Sequence, residues 1–367
     1  MKAKYLGFFL LATLVLLGAV ACGSTPDAEE SFMDTGTTGT AAPAGPDQAS
    51  LNNLNTAAAR AEEARKLAED FNGPDFYPAE WDSAEALYNQ AQSARSTATP
   101  NDVQQSLARY NAAAAAYEAL AEDSIARYAE VLEQEIIVAR IIAIDSGAAY
   151  LAPDYLSGTD AFTVEALALY QAGDYYKARD SGLEARDAYN ALGVGVQAYK
   201  IRLELEDRDF VYYDAVNIQE ADAIALSALD DYEARDIASA LSKANDVRAR
   251  YARSLNLAKE SFAADCAAIA NAERQRALDL KANVAVKQEY DIANGVFIQG
   301  TNFSQRGEFD QAASLFIQSR AMFEAVSISA HEKRLIAEEA LRAAESKMVE
   351  SDEVAQRAEL IIEGGAR

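Results

Sequence analysis

From Leu51 onward the apolar positions recur at three- and four-residue intervals, as in Ala57, Ala61, Ala64 and Ala68, and nowhere settle into strand-like alternation. That period turns one stripe of a helix toward a core. Proline is absent after Pro153 and glycine is absent over residues 196–294, so long helices meet no breakers there. The pattern predicts an all-α fold with long helices over residues 101–145 and 235–281. Within the first, Ile136, Ile137, Val138, Ile141, Ile142 and Ile144 are apolar around most of the helix. They are expected to lie buried.

Four segments align without gaps. Each opens with an acid and an apolar residue, then places a small residue four positions and an aromatic fifteen positions after the acid. They are Asp102, Val103, Ser106 and Tyr117; Asp174, Tyr175, Ala178 and Tyr189; Asp236, Ile237, Ala240 and Tyr251; Glu308, Phe309, Ala312 and Phe323. The acids stand 72, 62 and 72 residues apart. At roughly 100° per residue these offsets fall within about 80° of arc, one packing face, and the acid sits in the first turn where the helix dipole favours it. Upstream of each segment lies an aromatic corner: Phe76, Tyr77 and Trp81; Tyr150 and Tyr155; Phe210, Tyr212 and Tyr213; then Tyr290. The expectation is an array of about four units of 62–72 residues, each a shorter helix followed by a long one, with a helical bundle as the variant.

Gly307-Glu308-Phe309 with Ala312 and Phe316, preceded by Gly300 and Phe303, resembles a tetratricopeptide repeat (TPR). Gly173-Asp174-Tyr175 with Ala178 continues the likeness, and Phe162, Ala166 and Leu169 stand where that family places large, small and large packing residues. Tyr77-Pro78-Ala79-Glu80-Trp81 and Leu151-Ala152-Pro153-Asp154-Tyr155 resemble a corner shared by short bacterial envelope lipoproteins. The resemblance implies a TPR-like helical array in which these residues pack rather than react. TPR-like lipoproteins include outer-membrane assembly and transporter-associated factors, so it also implies another envelope protein as partner.

Charge and composition narrow the chemistry. The 367-residue chain holds 33 Lys and Arg against 58 Asp and Glu, a net charge of −25. A nucleic-acid backbone is therefore a poor partner, since little basic surface is available to displace its counterions. One histidine, His331, and two cysteines leave no His–His metal pair. No metal, no cofactor and no catalytic residue is expected. At the N-terminus Lys2 and Lys4 precede an uncharged apolar run over residues 5–20, a signal-peptide pattern. The run ends Leu17-Gly18-Ala19-Val20-Ala21-Cys22, which resembles the bacterial lipobox and marks Cys22 for lipidation. Cleavage there removes both lysines and takes the net charge from −25 to −27.

The organisation that follows is a signal peptide at 1–21, a lipidated cysteine and tether at 22–50, a helical repeat domain at 51–331, and a solvated capping helix and tail at 332–367. The tether is rich in Gly, Ser, Thr, Pro and acids, and on random-coil scaling about 28 such residues span roughly 30 Å. The expected location is the bacterial cell envelope, lipid-anchored, with the periplasmic face of the outer membrane favoured over the inner membrane or the cell surface. Cys266 reads as a small buried apolar residue.

Several candidates carry bland readings. Gly193-Val194-Gly195-Val196-Gln197-Ala198 fits a dinucleotide-loop pattern but follows a helix, so a break or kink is expected there. Glu204, Glu206, Asp207 and Asp209 lack calcium-loop spacing and read as a charge-balanced helix end. His331 reads as an exposed helical residue. Tyr77, Trp81, Tyr155, Tyr212, Tyr213 and Tyr290 are the candidates for partner or ligand binding, because aromatics anchor partner chains and sugar faces. Tyr117, Tyr175, Ala178, Tyr189, Ala240, Tyr251, Phe309, Ala312, Phe316 and Phe323 are assigned to repeat packing. The leading expectation is a non-catalytic scaffold. The alternative is a periplasmic module that takes a small molecule, peptide or cell-wall glycan at the aromatic corners, and an enzyme is the third.

Overall fold

A computed structural model describes residues 45–95 and 99–364. Cys22 and the tether before residue 45 lie outside them. The described residues form twelve α-helices, one short 3-10 helix and no strand. Five helices form the spine: α1 (Gln48–Asp70), α4 (Pro100–Asp145), α7 (Tyr175–Asp207), α9 (Ile237–Asp279) and α12 (Phe309–Gly364). Between them run α3 (Pro78–Arg95), α6 (Pro153–Gln171), α8 (Ala215–Glu233) and α11 (Lys287–Gln305). One-turn helices α2 (Gly73–Phe76), α5 (Ala148–Leu151) and α10 (Ala282–Ala285) make three of the corners, and the 3-10 turn Val211–Tyr213 makes the fourth.

Neighbouring spine helices run in the same direction. Gly182 of α7 packs on Leu132 of α4 and Gly193 on Ala143, while Arg186 pairs with Glu135 at 2.8 Å. Gln197 then bonds Arg248 of α9, and Lys259 of α9 pairs with Asp310 of α12. Each unit is thus three helices: the C-terminal half of one spine helix, the short helix that returns, and the N-terminal half of the next spine helix. The buried clusters divide accordingly, with Leu54, Tyr110 and Tyr117 in the first, Leu132, Ile136 and Tyr189 in the second, and Leu205, Ile218 and Tyr251 in the third. Two clusters, around Cys266 and Phe316 and around Tyr290 and Phe323, make the fourth.

The chain reverses at residues in the left-handed region. Asn72, Gly147, Asp209 and Lys281 have φ of 62°, 103°, 55° and 58° and end the four spine helices that lead into corners. The residue that follows is buried each time: Gly73, Ala148, Phe210 and Ala282. The second reversal uses Gly173, Arg235 and Gly307, at φ 80°, 62° and 76°. There the next residue's N–H reaches back to close the helix end, as Asp174 to the Leu169 carbonyl, Asp236 to Asp231 and Glu308 to Phe303. Arg235 takes a position held by glycine in the other two turns. Its guanidinium lies over the Phe162 ring at 4.2 Å and bonds Glu184 at 2.7 Å and Glu165 at 3.1 Å, contacts that offset the backbone strain. In the first unit the capping differs: Thr99 is the N-cap and Asp102 completes a capping box.

Two expectations are corrected. Ile137, Val138, Ile141 and Ile142 are 41, 55, 50 and 47 % exposed, while Ile136, Ala139 and Ala143 are buried and Ile144 packs half-buried against the same core. A three-helix unit covers only the flanks of α4 that meet α6 and α7, so the rest of an all-round apolar segment stays in water. The Gly193–Ala198 stretch is not a break either, because α7 runs unbroken from Tyr175 to Asp207. Gly193 is there because α4 lies close: an added Cβ would stand 3.3 Å from the Ala143 Cα. From residue 331 on, α12 continues without interruption, its side chains almost all exposed.

Gly73 shows how tight the corners are. A Cβ there would lie 2.8 Å from the Ala68 carbonyl oxygen and 3.0 Å from Ser124 Oγ, and a backbone carbonyl in a helix has little room to retreat. Gly73→Ala is expected to destabilise the protein by about 1–3 kcal/mol, read as a lower urea midpoint with an unchanged slope; an unchanged midpoint would refute this packing.

Candidate functional site

The repeat residues lie where the alignment expects a core. Tyr117, Tyr189, Tyr251 and Phe323 are buried, as are Ser106, Ala178, Ala240 and Ala312. Phe316 is buried against Gly300, where an added Cβ would stand 2.9 Å from its ring. Tyr175 and Phe309 are half-buried, the former edge-on to Tyr170 at 5.6 Å.

The buried tyrosines do more than fill space. Tyr117 donates to Glu85 at 2.7 Å, Tyr189 to Asp160 at 2.5 Å, and Tyr251 to Asp222. Each carboxylate, on the short helix, also accepts from an arginine of the preceding spine helix: Arg65, Arg140 at 2.8 Å and Arg202 at 3.0 Å. Arginine, acid and phenol therefore tie together the three helices of a unit. The arginine-to-acid separation is 20 residues in all three units, and acid to tyrosine is 32, 29 and 29. This 20-residue spacing was readable in the sequence and was missed, because alignment from the acid of the spine helix starts downstream of both partners.

Burial is the larger cause, and the carboxylate bond the next, of a Tyr189 phenol pushed up to about 12; Tyr117 and Tyr251 move the same way for the same reasons. The Arg140 hydrogen bond holds Asp160 below the usual carboxylate range. The fourth unit keeps the register and loses the chemistry: 20 residues after Arg274 stands Asn294, and 29 after that Phe323. Arg274 Nε and Asn294 Oδ1 are both buried without a hydrogen-bond partner, and the guanidinium lies over the Phe297 ring at 5.5 Å.

The six aromatic candidates do not occupy one kind of position. Trp81 packs edge-on to Tyr117 at 5.4 Å under the Arg65 guanidinium, and Tyr290 is buried against Phe323 at 5.7 Å. Tyr77 is half-buried against the first core. Tyr213 donates to Asp265 at 2.7 Å and stacks on Tyr212, which is 67 % exposed. Tyr155 donates to Glu233 at 2.7 Å and, of the six, is the one that lines a cleft, between the second and third units, together with Tyr199, Leu229 and Tyr232.

A hollow of about 490 Å³ opens between α4, α6 and α7 beside Tyr128, Ile137, Leu167 and Tyr170. Two further accessible surfaces involve residues singled out in the sequence. One is the isoleucine stripe of α4, where Val138 and Ile142 line an open groove with Arg127, Glu130, Glu135 and Arg186. The other is the Tyr155 cleft. Among the described residues no cluster of metal-binding side chains occurs, and no helix is long and apolar enough to cross a membrane. Glu204 is engaged by Arg208 and Lys259 at the end of α7. Cys266 is buried, which pushes its thiol up, and His331 is exposed on α12.

Two predictions test the triads. Tyr189→Phe leaves Asp160 bonded to Arg140, so the expected cost at neutral pH is about 1 kcal/mol, discounted for the partial exposure of that pair. Because the folded phenols sit above the unfolded value of about 10, their contribution is complete below that pH and is lost as pH rises through the folded values. Chemical denaturation should show stability falling above pH ~10, less steeply in Tyr189→Phe. At the acid end the depressed Asp160 contributes above about pH 4 and loses that contribution as pH falls further. In the fourth unit Asn294→Asp with Phe323→Tyr should restore a triad, giving a favourable coupling of about 1 kcal/mol in a double-mutant cycle; zero or unfavourable coupling would sink the equivalence of the units. No family model, no curated protein and no solved structure matches this chain.

Proposed function

We propose that this protein is a non-catalytic, TPR-like scaffold of the bacterial cell envelope, anchored through lipid on Cys22 at the periplasmic face of the outer membrane, and that it binds another envelope protein. The observation that carries the reading is the stripe Ile137, Val138, Ile141 and Ile142. These residues fall on one face of α4, between 41 and 55 % exposed, on a chain of net charge −25. Contiguous apolar side chains left in water mark an interaction surface, whereas scattered ones do not. A helix of the partner laid along the stripe would seat its own apolar face there, flanked by the ion pairs Arg127–Glu130 and Arg186–Glu135 at the groove.

The non-catalytic part of the reading is supported by what the perturbed groups are doing. Tyr117, Tyr189 and Tyr251 and their acids are bonded to one another across helices, so their chemistry is spent on assembly.

The test is cross-linked capture of the full lipoprotein from its native envelope, beside Val138→Glu with Ile142→Glu. Both side chains are about half exposed, so the variant should unfold like the parent by circular dichroism. Recovery of one stoichiometric partner should fall at least about tenfold. Equal recovery from both proteins would overturn the assignment of the stripe.

A further inference from the structure

The two inner units lack a pair of rings that the two outer units share. Three residues after the acid of the short helix, or after Asn294 in its place, stand Tyr88, Thr163, Ala225 and Phe297. Seven residues before the buried aromatic of the next spine helix stand Tyr110, Gly182, Ala244 and Phe316. In the first unit Tyr88 meets Tyr110 edge-on at 5.5 Å, and in the fourth Phe297 meets Phe316 at 5.3 Å. The second and third units have no ring at either position.

The preceding spine helix compensates only in part. Eight residues before its arginine it carries Ala57 and Cys266 in the clusters that hold the two ring pairs, but Leu132 in the second unit. A Cβ on Gly182 would stand 2.7 Å from Leu132 Cδ2, so the leucine takes some of the volume that a ring has elsewhere. Across the three positions the second unit still has about ten fewer non-hydrogen side-chain atoms than the first, close to one indole ring system. Interiors pack near crystal density, so a deficit of that size stays open. The hollow of about 490 Å³ between α4, α6 and α7 is lined by all three residues, Leu132, Thr163 and Gly182. In the third unit the same deficit leaves the Tyr155 cleft, about 300 Å³, lined by Ala225 and Ala244.

The outer units therefore say what this place accommodates, an apolar ring set between a short helix and a spine helix. The mouth of the second unit's hollow says where such a ring would come from. Ile137 and Leu167 line it and are both exposed, and Ile137 is also the first residue of the stripe on α4. A small molecule enclosed in the hollow would leave those two side chains in water. A chain lying along the stripe covers them while directing a side chain inward. The charged lining does not call for a polar ligand, since Arg179 pairs with Asp180, Glu130 pairs with Arg127, and Glu133 is exposed.

We infer that this hollow is the anchor pocket for the envelope partner: an aromatic side chain of the partner enters beside Ile137 and takes the place that Tyr88 and Tyr110 fill in the first unit. Aromatic anchors in desolvated pockets carry much of the energy of protein interfaces. The inference rests on the envelope partner proposed above and adds what that partner presents to this chain.

The test follows N-acetyl-5-fluorotryptophan amide, whose ring stands in for the partner's, by fluorine NMR in the presence of the full chain. Binding should be saturable with a Kd on the order of 1 mM or tighter, and N-acetylleucine amide should compete at least about tenfold more weakly. Thr163→Tyr with Gly182→Tyr and Leu132→Ala installs the first unit's set, which packs there with Ala91, the counterpart of Ala166 in the hollow. This variant should unfold at or above the thermal midpoint of the parent, while binding of the fluorinated amide and recovery of the envelope partner each fall at least about tenfold. Thr163→Tyr alone, at a half-buried position, restores one ring and should weaken both at least about threefold, which keeps the test decisive if the triple variant misfolds. Val138→Glu with Ile142→Glu should lose the partner and keep the fluorinated amide. No saturable binding, equal or tighter binding of the leucine compound, or undiminished partner recovery from variants that no longer bind the fluorinated amide would overturn the inference and leave the stripe in place. Recovery lost in the hollow variants but undiminished in the stripe variant would support the hollow and overturn the stripe, so the two fail separately.

Discussion

The arrangement depends on one polar contact repeated in register, the carboxylate of a short helix held between an arginine of the spine helix before it and a tyrosine of the spine helix after it. Alanine-lined helices can slide and rotate on one another with little change in buried apolar area, because dispersion contacts are numerous and nondirectional. A carboxylate with two directional partners on two other helices does not allow that freedom. Glu85, Asp160 and Asp222 each fix the rotation and the height of three helices at once. This matters more here than in a thick globular core, since each unit is only three helices wide and many of its buried side chains are alanine.

Sharing each spine helix between two units converts this local constraint into a long-range one. The C-terminal half of α4 supplies Arg140 to the second unit while its N-terminal half supplies Tyr117 to the first, and nothing but helix lies between them. Continuous helix transmits orientation with little loss. The distance and the turn between units are therefore set by a residue count. The short link from Tyr189 to Arg202 in α7 lacks ten residues relative to those in α4 and α9, about 2.8 turns, so it shortens the step and turns the packing face by about 80°. It explains the acid spacing of 62 between two of 72, and it is the reason that Tyr155 and Tyr232 come together over a cleft.

How much of this was legible follows from which signals are local. The helix over residues 100–145 was readable to within a residue, because apolar period and the absence of breakers are carried in one stretch. The buried face was readable from Tyr117, Tyr189, Tyr251 and Phe323. The triads were harder, since an arginine, an acid and a tyrosine spread over some fifty residues give no periodic signal, only a spacing that recurs. The exposure of Ile137, Val138, Ile141 and Ile142 was misread for a different reason. An apolar segment records that water is unfavourable to it but not what removes the water, and a partner outside the chain leaves the same record as a core within it. Among the corner aromatics, Trp81 and Tyr290, which pack against the core, stand nine residues after the left-handed residue of their corners and Tyr155 at the cleft stands eight after its own; the corners are equal in length, and an offset of one position is not visible until the left-handed residues are known.

The fourth unit shows what the triad adds by lacking it. Asn294 and Phe323 occupy the positions of the acid and the phenol, and the apolar contacts around them are intact, with Phe323, Val326 and Ala330 buried against Tyr290 and Ala293. Packing alone thus reproduces the shape of the unit. What it does not reproduce is satisfaction of the buried guanidinium edge, since Arg274 Nε has no acceptor where its counterparts have a carboxylate. An unsatisfied buried donor costs about 1–3 kcal/mol, more when the group is charged. The same unit also gives rise to α12, which leaves it as a single helix exposed from residue 331 onward. Rotation of α12 within the last unit is therefore resisted by apolar contacts and by the ion pairs of Asp310 with Arg208 and Lys259, without a triad, whereas α4, α7 and α9 are each locked by triads. Local opening should begin at this end of the array, because cooperative units open in order of the free energy that holds them.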